Sequence, residues 1–177
     1  MPPPMDEPAP GANPHAHAMA DAAIDAAWAV LPPDADLDVA RLLPVVVGAH
    51  PRSEIADRPL ANRLVAAIRQ WQRQHVANEA ERLVPLVMTD LWYLNDRELL
   101  LQPTIAIGEP GANAASAYFG TRLPKAYVVD GQLQVLADLE WVEPSVTMWG
   151  VTPFATRAAL DWFLNRHLGR FLESIHG

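Results

Sequence analysis

The hydrophobic residues of this chain fall into short β-branched blocks separated by longer stretches with helical spacing. Leu42-Leu-Pro-Val-Val-Val-Gly48 is apolar almost throughout, the pattern of a strand covered on both faces. Pro44 lacks the N–H a central strand uses, so the strand is expected to start after it. Leu83-Val-Pro-Leu-Val-Met-Thr89 and Thr104-Ile-Ala-Ile107 are expected to be the second and third strands. Between the first two blocks lie a polar loop, residues 49–57, and a helix. Asp57 or Arg58 marks its cap, Pro59 sits in its first turn, and Leu60, Leu64, Ile68 and Trp71 form its apolar stripe. Asp90-Leu-Trp-Tyr-Leu-Asn95 is expected to close the second strand in a turn, with a short helix or turn over residues 96–101. A helix over residues 113–122 follows the third strand.

The rhythm then changes. Residues 126–136 are two strand-like runs joined by Asp130-Gly131, which predicts a hairpin with a type I′ turn. Residues 145–149 form a further strand. Thr152 as cap and Pro153 at the first position open a last helix, expected to run unbroken to about Ile175. Alternating strands and helices predict a three-layer α/β domain over residues 42–177. Its sheet should be open and mostly parallel, Rossmann-like or flavodoxin-like, with one β-hairpin excursion at an edge. Residues 1–18, rich in Pro, Ala and His, show no apolar periodicity and read as a disordered tail. Residues 19–33 carry Ile24, Trp28 and Leu31 at helical spacing and read as a short helix.

Composition narrows the partners. A net charge of −8 without any run of cations argues against a nucleic-acid backbone binder. The absence of cysteine removes disulfides, thiolate nucleophiles and Cys-ligated zinc. No segment approaches the roughly 18 apolar residues of a membrane span. The first residues are prolines and acids rather than the cations of a secretory signal. A cytoplasmic location without membrane association is therefore expected.

In open α/β sheets ligands sit outside the carboxyl ends of the strands. Chain order gathers Gly48, His50 and Arg52 there, with Asp90, Trp92, Tyr93 and Asn95, then Gly108, Glu109, Gly111, Asn113 and Ser116, and finally Trp149, Gly150, Thr152 and Thr156. Ile107-Gly-Glu-Pro-Gly-Ala-Asn113 is the most distinctive corner. Gly108 and Gly111 there read either as a backbone cradle for an anion with positive φ or as the tight turn before a helix. Neither GxGxxG nor GxxxxGK[ST] is present. Asn113 reads as helix cap or ligand contact, and Asp90 as base, metal ligand or turn acceptor. His50 and Arg52 read as an acid/base with an anion clamp, or as a solvated loop pair. No His and acid pair has zinc spacing, and His15 and His17 lie on the tail.

Ile-Ala-Ile-Gly-Glu-Pro-Gly-Ala-Asn113, with Val146-Thr-Met-Trp-Gly150 and Thr156-Arg-Ala-Ala159, resembles the Gly-Gly-Pro-x-x-Asn turn, strand and Thr-x-x-Ala-Ala helix start of archaeal S-layer protein domains. The likeness covers roughly a quarter of the chain and departs at Glu109, where that pattern has Gly. It implies a Rossmann-like, non-catalytic module and assigns no site residue.

Two functions follow. One is a non-catalytic binding or interaction module for a protein partner or a small anionic, nucleotide-like ligand, held by Gly108, Glu109, Gly111, Asn113, Arg52, Asn95 and Thr152. The other is a small hydrolase or transferase with Asp90 and His50 as catalytic groups. A hydrogen bond between Asp90 and His50 in a concave pocket would favour the enzyme. The sequence names no cofactor and leaves the oligomeric state open.

Overall fold

A computed structural model describes residues 38–176. The tail and short helix expected over residues 1–33, with His15 and His17, lie outside the described residues. Six strands form one open sheet: β1 (Leu42–Val47), β2 (Val84–Thr89), β3 (Thr104–Ile107), β4 (Lys125–Val129), β5 (Leu133–Ala137) and β6 (Ser145–Gly150). Their order across the sheet is β2-β1-β3-β6-β5-β4. The first four of these neighbours run parallel, and β5 and β4 add an antiparallel edge.

The helices among the described residues are α1 (Pro51–Ala56), α2 (Arg58–His75), α3 (Asp90–Asn95), α4 (Ala114–Gly120), α5 (Pro153–Arg166) and α6 (Leu168–His176). Strand alternation sorts side chains onto two cores. Leu43, Val45 and Val47 of β1 join Leu64, Ile68, Leu160, Phe163 and Phe171 from α2, α5 and α6. Leu42 and Val46 join Tyr93 and Phe119 from α3 and α4 on the opposite face. The three layers are therefore helices, sheet and helices, as the sequence order required.

Local details correct the sequence reading. Pro44 lies inside β1, because there β1 pairs with β2 alone and pairing with β3 starts one residue later, at Val45 and Ile105. The polar loop after β1 contains α1: His50 Nδ1 accepts from the Arg52 amide, Pro51 opens the helix, and Arg58 bonds back to Glu54. The stripe of α2 is centred on Ala61, Leu64, Val65 and Ile68, with Leu60 and Trp71 at its margins. Residues 90–95 are helix rather than turn, with Thr89 as cap, and residues 99–101 form a 3-10 turn. The last helix breaks at His167 (φ −131°, ψ −18°), and the break lets Leu168, Phe171 and Leu172 reach the core that α5 already covers.

The Asp130-Gly131 hairpin is present, but only Gly131 has positive φ (66°), so the turn is not type I′. The Gln132 amide closes it onto the Val129 carbonyl at 2.9 Å. Nothing crowds a Cβ at Gly131, so backbone strain alone should make Gly131→Val costly, by about 1–3 kcal/mol. A urea denaturation midpoint equal to wild type would show that the turn relaxes without cost.

Candidate functional site

Chain direction reverses between β1 and β3: β1 leads outward to β2, and β2 leads back across β1 to β3. Such a switch point opens a crevice at the carboxyl ends of the two strands. Each side of the sheet fills it differently.

On the α3–α4 side the crevice is closed by two side chains. Asn113 is wholly buried, and its Nδ2 donates to the Val46 carbonyl of β1 at 3.2 Å and the Ile107 carbonyl of β3 at 2.9 Å. Its Oδ1 accepts from the amides of Ala115 and Ser116. Asp90 at the end of β2 accepts from Ala49 and Leu91 through Oδ1, and from Ala114 through Oδ2 at 2.7 Å. The amide of Ala117 bonds the Asn113 carbonyl. The first four amides of α4 thus all have partners within the protein, and a carboxylate already stands where an anion would approach the helix start. Gly48 permits this closure, since a Cβ there would lie 1.8 Å from the Ala112 carbonyl oxygen.

On the α2 side a slot remains. It is lined by Ser53 and Asp57, by Glu109 and Ala112 of the β3–α4 turn, and by Thr152, Pro153 and Thr156 at the start of α5, with Arg52 at the mouth. Its free volume is about 20 Å³, enough for one water-sized group. Asp57 is 7% exposed and does not cap α2, although it precedes that helix. Its carboxylate packs over Gly108, whose φ of 118° suits glycine and where a Cβ would lie 2.7 Å from Oδ2. Burial pushes the Asp57 carboxyl above the usual carboxylate range and Glu109 adds to the rise, while the neighbouring Ser53 hydroxyl and the Arg52 charge oppose it. The Ser53 hydroxyl is fully buried without a partner in good hydrogen-bond geometry. Arg52 and Glu109 pair at 3.1 Å in an exposed position.

The structure thus brings Arg52, Glu109 and Thr152 together at one slot. Thr152 caps α5 through Oγ1 to the Ala155 amide, and Thr156 Oγ1 accepts from the Gly150 amide. Among the described residues no hydrogen bond joins Asp90 to His50. His50 serves α1 as its cap. Asn95 is not brought to the slot and donates to the Leu91 carbonyl of its own helix. Gly111 lacks positive φ, contrary to the cradle reading, and has open space around it. Ser116 is buried in α4 with an unpartnered hydroxyl. Ser53 and Asp57 were not among the sequence candidates. They sit four residues apart, a spacing that gains meaning only once residues 51–56 are helical.

Among the described residues no helix is long and apolar enough to cross a membrane. Comparisons with protein-family models, with characterised proteins and with solved structures find no match.

Asn113→Ala would leave two strand-end carbonyls and two amides without their partner, and should destabilise the domain by about 3 kcal/mol or more in urea unfolding. A loss below about 1 kcal/mol would show that water replaces the carboxamide. A buried carboxyl whose folded pKa is raised weakens the fold as pH rises. The penalty is absent below its ordinary value, grows up to the raised value and stays constant above it. Asp57→Asn should therefore gain stability relative to wild type as pH climbs from acid through that interval. A stability difference independent of pH would show that Asp57 titrates normally.

Proposed function

We propose that this domain is a non-catalytic binding module that docks a protein segment on the carboxyl rim of its sheet. We further propose that the sheet is Rossmann-like, with the flavodoxin-like order β2-β1-β3 followed by a fourth parallel strand. The observation that carries the functional reading is a contrast within the rim. Asp90, Asn113 and His50, the groups best suited to chemistry or ligand contact, bond to the protein's own backbone. Ile55 and Phe154, adjacent in sequence to the slot-lining Ala56 and Pro153, are 80% and 82% exposed. Val151 beside α5 and Leu91 and Trp92 in the first turn of α3 add further exposed apolar surface at the strand ends.

Exposed apolar surface of this kind marks protein contact sites, whereas metabolite pockets enclose several hundred Å³. At the rim the slot, about 20 Å³, is far smaller than such a pocket; the larger cavity among the described residues, about 570 Å³, lies away from the rim beside Arg41, His75 and His176. With a net charge of −8, the complementary partner is an apolar segment carrying a cationic side chain. The resemblance to S-layer modules, which are non-catalytic, points the same way. An anionic or nucleotide-like ligand gains no free amide at the α4 start, and a hydrolase or transferase lacks the Asp90–His50 bond.

Selection of short peptides from a random library tests the reading, with the Ile55→Asp, Phe154→Asp double variant as comparison. Peptides that bind wild type should bind the double variant at least about tenfold more weakly, since both side chains stand at the docking face. Equal binding to both proteins, or thermal stabilisation by nucleotides and sugar phosphates instead, would overturn it.

A further inference from the structure

We propose that residues 138–143 are a strap that Trp141 closes onto the break between α5 and α6, and that protonation of His167 releases it. The strap lies at the amino end of β6, the opposite end of the sheet from the carboxyl rim, so it stands apart from the docking reading. Trp141 meets Phe171 of α6 edge-on, with ring centroids 5.4 Å apart, and its ring lies 6.4 Å from that of His167. The closed strap carries two costs. Trp141 has a φ of 58°, the one positive φ outside glycine among the described residues and a region that bulky side chains rarely adopt. Its Nε1–H is buried and has no acceptor among the described residues. Against these costs, the Asp138 carboxylate accepts from the amides of Glu140, Val142 and Glu143, and the Trp141 amide bonds the Asp138 carbonyl. Opening returns the backbone to an ordinary region and gives the indole N–H to water. The closed state is therefore held by a small margin, as local openings commonly are.

His167 is placed to tip that balance. Its amide bonds the Phe163 carbonyl and its carbonyl accepts from the Phe171 amide, both at 2.9 Å, so its backbone joins the two helices. Its ring packs on Trp162 at 4.5 Å, and Trp162 stacks on Tyr127 of β4 at 4.8 Å. The ring Nδ1 is buried and has no partner among the described residues. A neutral imidazole leaves only a lone pair there, with its proton on Nε2. An imidazolium carries a proton on both nitrogens and would bury a charged donor without an acceptor. The surrounding charges oppose it as well. Arg166 on α5 and Arg170 on α6 repel a cation at His167, and Asp161 on α5 is spent on Arg63 of α2. On the strap, Asp138 is held by three amides, and neither Glu140 nor Glu143 forms an ion pair with His167 among the described residues. Burial first, and then the two arginines, hold the imidazole below its ordinary value of about 6.5. Lifting Trp141 admits water to the ring and returns it towards that value. The closed strap is thus fully favoured above the ordinary value and loses ground as pH falls from there through the lowered one.

The test follows hydrogen exchange in the full chain by nitrogen-15 NMR between pH 7.5 and 5, corrected for the intrinsic pH dependence of exchange. The Trp141 indole signal is identified by its loss in Trp141→Phe. Protection of the Trp141 indole and of the Glu140, Val142 and Glu143 amides should fall at least about threefold towards pH 5, while β1 and β3 stay protected. His167→Phe keeps a packed ring without a titrating nitrogen, and its strap should be equally protected across the range. His167→Gln serves the same purpose if the phenylalanine variant does not fold. Strap protection independent of pH in wild type overturns the proposal. A fall that persists in the His167 variant also overturns it and assigns the response to Asp138. Loss of β1 and β3 protection together with the strap means that the whole domain opens, and no local strap exists. Protection that rises with acid would show that the Trp162 face and the carboxyl end of α5 draw the cation in, and overturns the proposal too.

Discussion

The carboxyl ends of the parallel strands β1 and β3 meet where the chain's connections diverge to opposite sides, and in this domain one carboxamide ties the backbone carbonyls there together. Asn113 donates to β1 and β3 and accepts from the first turn of α4, so one side chain ties its own turn and helix to β1, 67 residues away in sequence. Asp90 extends the same knot to β2 and to the loop after β1. The position of α4, the path of the Gly108–Asn113 turn and the width of the crevice all depend on these side chains. An unpaired polar group in a core costs far more than a formed bond returns, which makes the arrangement all-or-nothing.

That knot also decides where function can reside. The residue types that invite a catalytic or anion-binding reading, an aspartate at a strand end and an asparagine at a helix start, are consumed in holding the strand ends together. The α3–α4 side of the switch point is therefore closed. The α2 side keeps a cavity because Gly108, with no side chain, leaves room for Asp57, and because α1 carries Ser53 inward. One side of the crevice is thus filled by the protein's own hydrogen bonds, and the other keeps a small space.

Much of the fold was legible in the sequence. Continuous apolar runs announced the buried parallel strands β1 and β3, while the similar run of β2 lies half-buried at the sheet edge; Thr152-Pro153 announced a helix start and Asp130-Gly131 a hairpin, because each signal acts within a few residues of itself. The same locality explains the misreadings. Pro44 looked excluded from a strand because the sequence does not say on which side β1 lacks a partner. Residues 51–56 looked like a loop because a six-residue helix with one buried residue has no stripe to read. The break at His167 preserves the helical spacing of the apolar residues, so the sequence pattern passes through it unmarked.

The sequence by itself determined the order of elements and the parallel character of most of the sheet, and so which residues stand at the strand ends. Those follow from propensity and periodicity, which depend on neighbours along the chain. Only the tertiary structure decided which rim residues are free. Asp90 and Asp57 are both acidic residues beside a helix start, and nothing local separates them. One meets two backbone amides from distant segments besides that of its own neighbour Leu91, and the other meets a glycine and the Ser53 hydroxyl at the edge of a small space. Hydrogen-bond partners come from segments distant in sequence, so the availability of a buried carboxylate is a property of packing.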